Sequence, residues 1–294
     1  MSDYLLECCV DSVESAMAAA EGGADRLELC TALIIGGISP SLALFKQVKE
    51  CCALPVRVLL RPRFGDFLYT DYEFRIIRRE VELFREAGAE GVVIGCLAED
   101  GSLNRERMKE LAKAADGIGI TLHRAFDVCA DPVKAYEQAW ELGVDTILTS
   151  GQESDCLKGM PLLKRLSDLQ KKVDVPQTQA DSFQDRANGL QMQAGNPRER
   201  KNGLQTQREK ARRRIEGPRI MAGSGVTPDV IRRFLEETDI TAYHLSAKKI
   251  VDSGMRYRRE GVPMGLPAMS EYSIYRTDKD IVAAARRVLT EHKG

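Results

Sequence analysis

Short apolar runs alternate with amphipathic stretches along most of this chain. The β-rich runs are "LLECCV" (5–10), "RLELC" (26–30), "VRVLLRP" (56–62), "GVVIG" (91–95), "GITLHR" (119–124), "TILTSG" (146–151), "RIMAGS" (219–224) and "AYHLS" (242–246). Between and after them lie segments with helical spacing of apolar positions, such as "DYEFRIIRREVELFREAG" and "PDVIRRFLEET". Asp131-Pro132 and Thr227-Pro228 predict helix starts, with a capping side chain followed by proline in the first turn. Gly22, Gly88 and Gly143 predict helix ends.

Eight strands alternating with eight helices predict a parallel sheet with helices outside it. That count, over a patterned core of about 250 residues, predicts a closed (β/α)8 TIM barrel. An open doubly wound sheet is the alternative, but no G-x-G-x-x-G follows the first strand.

The rhythm breaks once. The stretch 171–217 is polar and rich in Gln and Arg, with "ANGLQMQAGNPRER" followed directly by the similar "KNGLQTQREKARRR". Its 11 basic against 6 acidic residues make it locally +5. Such a segment buries too little apolar surface to offset its ordering entropy. It predicts a disordered insertion on the bottom face before strand seven, interrupting a single domain spanning 1–294.

Side-chain alternation sorts the strand residues onto two faces. In strand one, Leu6, Cys8 and Val10 form the apolar set; Leu5, Glu7 and Cys9 form the mixed one. The apolar set belongs against the dry helix layer, so Cys8 packs, whereas Cys9 and Cys30 point inward on neighbouring strands about 4.8 Å apart. The same parity sends Glu28, Arg57, Arg61, His123, Ser150, His244 and Ser246 inward. Buried charges demand partners, and Arg61 is expected to pair with Glu7 or Glu28 and to favour thiolates at Cys9 and Cys30. His123, Glu7, Glu28, Arg61 and Asp127 gather at the C-terminal mouth, where barrel active sites lie. His123, Arg61 and Asp127 there would suit acid–base chemistry. Gly223, Ser224 and Gly225, with Ser246, predict an anion site or, equally, a turn that needs glycine for steric reasons.

Composition narrows the function classes. A net charge of −1 over 294 residues gives no field for nucleic acid. No run of 18 apolar residues exists, and the N-terminus lacks the basic and apolar regions of a signal peptide, so an intracellular address without membrane contact is expected. There are eight cysteines but no C-x-x-C, which disfavours a zinc knuckle or a thioredoxin-like motif. Most of these cysteines are expected to be small buried hydrophobes. Two inward thiols favour Cu(I) or Zn2+ over hard cations.

Several motifs occur together and in order: "LECCVDSVESA", "GGADRLELC", "RPRFGDF", "TLHRAFD", "LTSGQESDCLKG", "IMAGSGVT", "YHLSA" and "GMRYR". In these the chain resembles the CutC family of copper homeostasis proteins, over nearly its whole length except about 171–217. The resemblance implies a (β/α)8 barrel, a cytoplasmic or cytoplasmic and nuclear location, and a homo-oligomer, dimer or tetramer. It also implies Cu(I) bound through cysteines that fall on Cys9 and Cys30, with no nucleotide cofactor. The family pattern departs at Phe64, where glycine is usual, and at the insertion. No reaction is established for the family. The expected partners are a copper ion and, on the alternative reading of a barrel enzyme, a small anionic metabolite bearing phosphate or carboxylate.

Overall fold

The computed structural model describes residues 4–171, 217–259, 261–262, 264 and 269–292. The insertion expected at 171–217 lies almost wholly outside them.

Eight parallel strands close into a barrel in sequence order, and the last pairs with the first. They are β1 (Leu5–Val10), β2 (Arg26–Leu29), β3 (Val56–Leu59), β4 (Gly91–Ile94), β5 (Gly119–Leu122), β6 (Thr146–Thr149), β7 (Arg219–Ala222) and β8 (Ala242–Leu245). The helices are α1 (Val13–Glu21), α2 (Leu42–Cys51), α3 (Asp71–Glu86), α4 (Arg105–Ala115), α5 (Pro132–Glu141), α6 (Met160–Lys171), α7 (Pro228–Glu237) and α8 (Lys279–Glu291). The sequence-predicted starts hold: Asp131 accepts hydrogen bonds from the amides of Val133 and Lys134, and Thr227 accepts one from Val230. An antiparallel hairpin, β9 (Lys248–Asp252) with β10 (Ser273–Thr277), stands between β8 and α8 and has no counterpart in the sequence reading.

The main core lies between strands and helices. Leu6, Cys8, Val10, Leu27 and Leu29 are fully buried there with Phe45, Ile77 and Phe234. Cys8 therefore faces the helix layer, as parity predicts, and burial drives its thiol pKa far up.

Inside the barrel the floor is part apolar and part polar. Leu148, Met221 and Ala242 pack with Leu5. Beside them Arg57 donates to Thr121 Oγ1 at 2.6 Å and pairs with Asp145 at 2.7 Å. Gly119 faces this guanidinium: a Cβ there would lie 2.5 Å from Arg57 Nη2. These side chains fill the floor of the barrel.

Candidate metal centre and barrel mouth

The mouth is a cavity of about 740 Å³ at the C-terminal ends of the strands. Its lining includes Cys9, Glu28, Arg61, His123, Ser224 and His244.

One wall is built by β1, β2 and β8. The register sets Glu7 beside Arg26 on one side and beside His244 on the other, and Cys9 beside Glu28. Arg26 Nε lies 2.5 Å from Glu7 Oε2, and His244 Nδ1 lies 2.8 Å from Oε1. Burial alone would raise the Glu7 pKa, but the Arg26 guanidinium and His244 hold it down at about 2. Burial by itself would discharge His244; the carboxylates of Glu28 and Glu7 and a hydrogen bond with Cys9 instead keep it well above the ordinary histidine value. Glu28 is pushed up by burial.

The thiols complete this wall. Cys9 Sγ is 3.7 Å from Cys30 Sγ and donates to Glu28 Oε1 at 3.3 Å. Both cysteines are buried against Leu59 and Val93. The hydrogen bond with Cys30, then burial and the nearby Glu28, hold the Cys9 thiol well above its usual pKa. Cys9, Glu28 and His244 present ligand atoms within 4.8 Å of one another, and Cys30 flanks them. Glu28 Oε2 is buried with no hydrogen-bond partner. A cation held by two thiolates and an imidazole would satisfy that oxygen and displace the thiol protons. A tetrahedral centre with metal–sulfur bonds of about 2.3 Å needs sulfurs about 3.8 Å apart, close to the spacing present. The donor set therefore fits a soft or borderline cation.

The expected role of Arg61 does not hold. Its Nη1 and Nη2 donate to the carbonyls of Gly37 at 3.3 Å and Gly65 at 2.6 Å, and its guanidinium lies over the rings of Phe67 and Phe64. Neither Glu7 nor Glu28 is its partner, and the Cys9 thiol is governed by Cys30, burial and Glu28 rather than by Arg61. β3 leaves the barrel at Leu59, so Arg61 belongs to the turn beyond the strand and points along the rim. The carboxylate partner is Arg26, one strand nearer. Phe64, the departure from the family pattern, is exposed and flanks this guanidinium.

Asp127 is likewise committed. It accepts from Thr149 Oγ1 at 2.5 Å, from Ser150 N and Oγ at 3.0 Å and from Gln152 N at 3.3 Å, and it pairs with Arg124 at 2.7 Å. It ties the loops after β5 and β6 together, and its lone pairs are taken. His123 is buried and accepts from the Ala125 amide through Nδ1 at 3.1 Å.

The expected anion loop divides. Ser224, Gly225 and Ser246 line the cavity. At Gly223 a Cβ would meet the tip of the Leu148 side chain, Cδ1, at 2.4 Å, a contact on the side of the steric reading. The helix beyond starts only at Pro228, with Thr227 as its cap, and Ser224 Oγ donates to the Ser154 carbonyl. His244 was legible as an inward residue but not as a member of the site. Only the closing β1–β8 pairing sets it beside Glu7.

A family model described as the CutC family matches residues 4–175. A human protein described as a copper homeostasis protein cutC homolog is 37% identical over 291 residues, covering 97% of this chain and 90% of that protein. A family protein CutC of Bacteroides fragilis is 39% identical over 266 residues, covering 90% of this chain and 88% of its own length. Among solved structures, a copper homeostasis protein CutC of Streptococcus agalactiae superposes with a TM-score of 0.62 at 25% identity, covering 83% of this chain and 98% of that one. With matched barrels and this share of identical residues, the chain belongs to the CutC family.

Proposed function

We propose that this protein takes part in copper homeostasis by binding Cu(I) at the barrel mouth through Cys9 and Cys30, with His244 as a third donor. The observation that carries the reading is the pair of buried thiols 3.7 Å apart beside His244, walled by Leu59 and Val93. Thiolates select soft cations, and an apolar wall shields a bound Cu(I) from water and oxidants. His244 is held by Glu7 through Nδ1, which orients the ring, and a metal would bind Nε2 by displacing the proton that its raised pKa keeps there. The raised Cys9 pKa means that binding must expel a proton, so affinity should rise with pH.

A competition titration against a Cu(I) chelator, under reducing and anaerobic conditions, tests this. Cys8→Ser should retain affinity, because Cys8 lies in the helix-side core. Cys9→Ser and Cys30→Ser should abolish binding, and His244→Ala should weaken it. Loss of binding in Cys8→Ser with retention in Cys9→Ser would overturn the assignment. So would tighter competition by Zn2+ than by Cu(I), for which Glu28 as a fourth donor would be the better match.

A further inference from the structure

Elsewhere on the mouth's lining, two donors lack acceptors. His123 Nε2 and Arg61 Nε are both buried without a hydrogen-bond partner. His123 is 4% exposed and Arg61 9%, and both line the mouth. The Ala125 amide donates to His123 Nδ1, which assigns the neutral tautomer with its proton on Nε2. Burial and the adjacent Arg61 hold the ring pKa down to about 3, so the imidazole is neutral at physiological pH. Arg61 offers only donors. Its terminal nitrogens meet the uncharged carbonyls of Gly37 and Gly65, so among the described residues no carboxylate balances its charge. One ring serves both groups: Phe67 lies 4.8 Å from the His123 ring and 5.0 Å below the Arg61 guanidinium.

Leaving a buried donor unmade is costly, and two such donors on one aromatic wall share the same missing complement. A metal does not fit: with Nδ1 already accepting from Ala125, a metal at Nε2 would need an imidazolate, and a guanidinium Nε has no lone pair to give. The complement is an acceptor, and the unbalanced charge of Arg61 makes it an anionic one. We infer that the mouth binds a small organic ligand through an anionic oxygen, of a carboxylate or a phosphate, received by His123 Nε2–H and Arg61 Nε–H against Phe67. This site is independent of the metal reading: it uses the segments just beyond β3 and β5 rather than β1, β2 and β8. A neutral histidine donor beside a cation is also an arrangement able to polarise a carbonyl. The mouth would then hold an organic anion rather than copper alone.

The chain has three histidines, so selective 15N labelling of histidine gives a simple spectrum. Inorganic phosphate and acetate are titrated separately, with sodium chloride as the ionic-strength control. A saturable shift of the His123 Nε2 resonance is expected with at least one probe. Arg61→Met should weaken that binding at least tenfold while retaining Cu(I) affinity. A response to phosphate alone identifies a phosphoryl ligand; a response to acetate alone identifies a carboxylate. If Arg61→Met does not fold, His123→Phe is used, and the thermal stabilisation given by the responding probe should disappear. The inference is overturned if neither probe shifts the resonance beyond the chloride control. It is equally overturned if the folded variant responds as the unaltered protein does.

Discussion

Replacing Arg26 by methionine removes one of the two partners of Glu7 and leaves a carboxylate stranded in the barrel. Glu7 is fully buried, and Arg26 Nε stands 2.5 Å from its Oε2. Removing one side of a buried pair costs about 3–5 kcal/mol, because the remaining charge keeps its desolvation penalty and loses its attraction. The titration of Glu7 gives an independent figure. The net lowering from 4.5 to about 2 corresponds, at about 1.36 kcal/mol per pKa unit, to roughly 3 kcal/mol by which Arg26 and His244, with a smaller part from Arg57, outweigh the burial of the carboxylate. Since His244 remains on Oε1, the expected loss at pH 7 is about 3 kcal/mol, the low end of the range for one-sided removal. The pH dependence has a definite sign. Glu7 titrates lower when folded than unfolded, so its stabilisation is complete above about pH 4.5 and is lost as pH falls toward 2. In Arg26→Met, burial raises the same group, and acid then relieves the stranded charge. The difference between the two proteins should therefore shrink from pH 7 to pH 3. Reversible urea unfolding at both values measures it, and Arg26→Met with Glu7→Gln should recover part of the loss. A deficit below about 1 kcal/mol at pH 7, or one independent of pH, would refute the reasoning.

Two further outcomes follow from contacts already described. Asp127→Ala strips the loops after β5 and β6 of several charge-assisted hydrogen bonds. It should cost at least about 3 kcal/mol in urea unfolding, with Asp127→Asn less harmful, and a loss under about 1 kcal/mol would show that the loops hold without it. Deleting 175–215 should leave a cooperative thermal melt, because all eight barrel strands lie outside that stretch; a broad, non-cooperative transition would contradict it.

Every barrel strand begins where the apolar alternation predicts, but seven run on too far in the sequence reading. "VRVLLRP", for example, ends as a strand at Leu59. The reason is that the alternation persists past the paired residues: Leu60 is still buried in the helix-side core and its amide still bonds the Val93 carbonyl, and only at Arg61 does the chain turn to the rim. Parity correctly separated Cys8 from Cys9 because one face of β1, Leu6, Cys8 and Val10, carries no charged residue and packs into the helix-side core. It could not choose between Arg26 and Arg61 as the partner of Glu7, since that depends on the stagger between strands. The β9–β10 hairpin was illegible for another reason. All five residues of "KKIVD" are exposed, so burial imposes no pattern on them.

Glu7 is also where the two ends of the chain meet. It contacts Arg26 nineteen positions away on β2 and His244 237 positions away on β8. During synthesis the thiols of β1 and β2 emerge long before the imidazole that faces them. A nascent chain carrying only the first half of the barrel holds Cys9, Cys30 and Glu28 without His244. Pairings of such long sequence separation form late, after the local βα units. The complete donor set is therefore a property of the closed ring. Its assembly reports that the last strand has docked, and a cation binding all of it would act as a clasp on the seam between the first strand and the last.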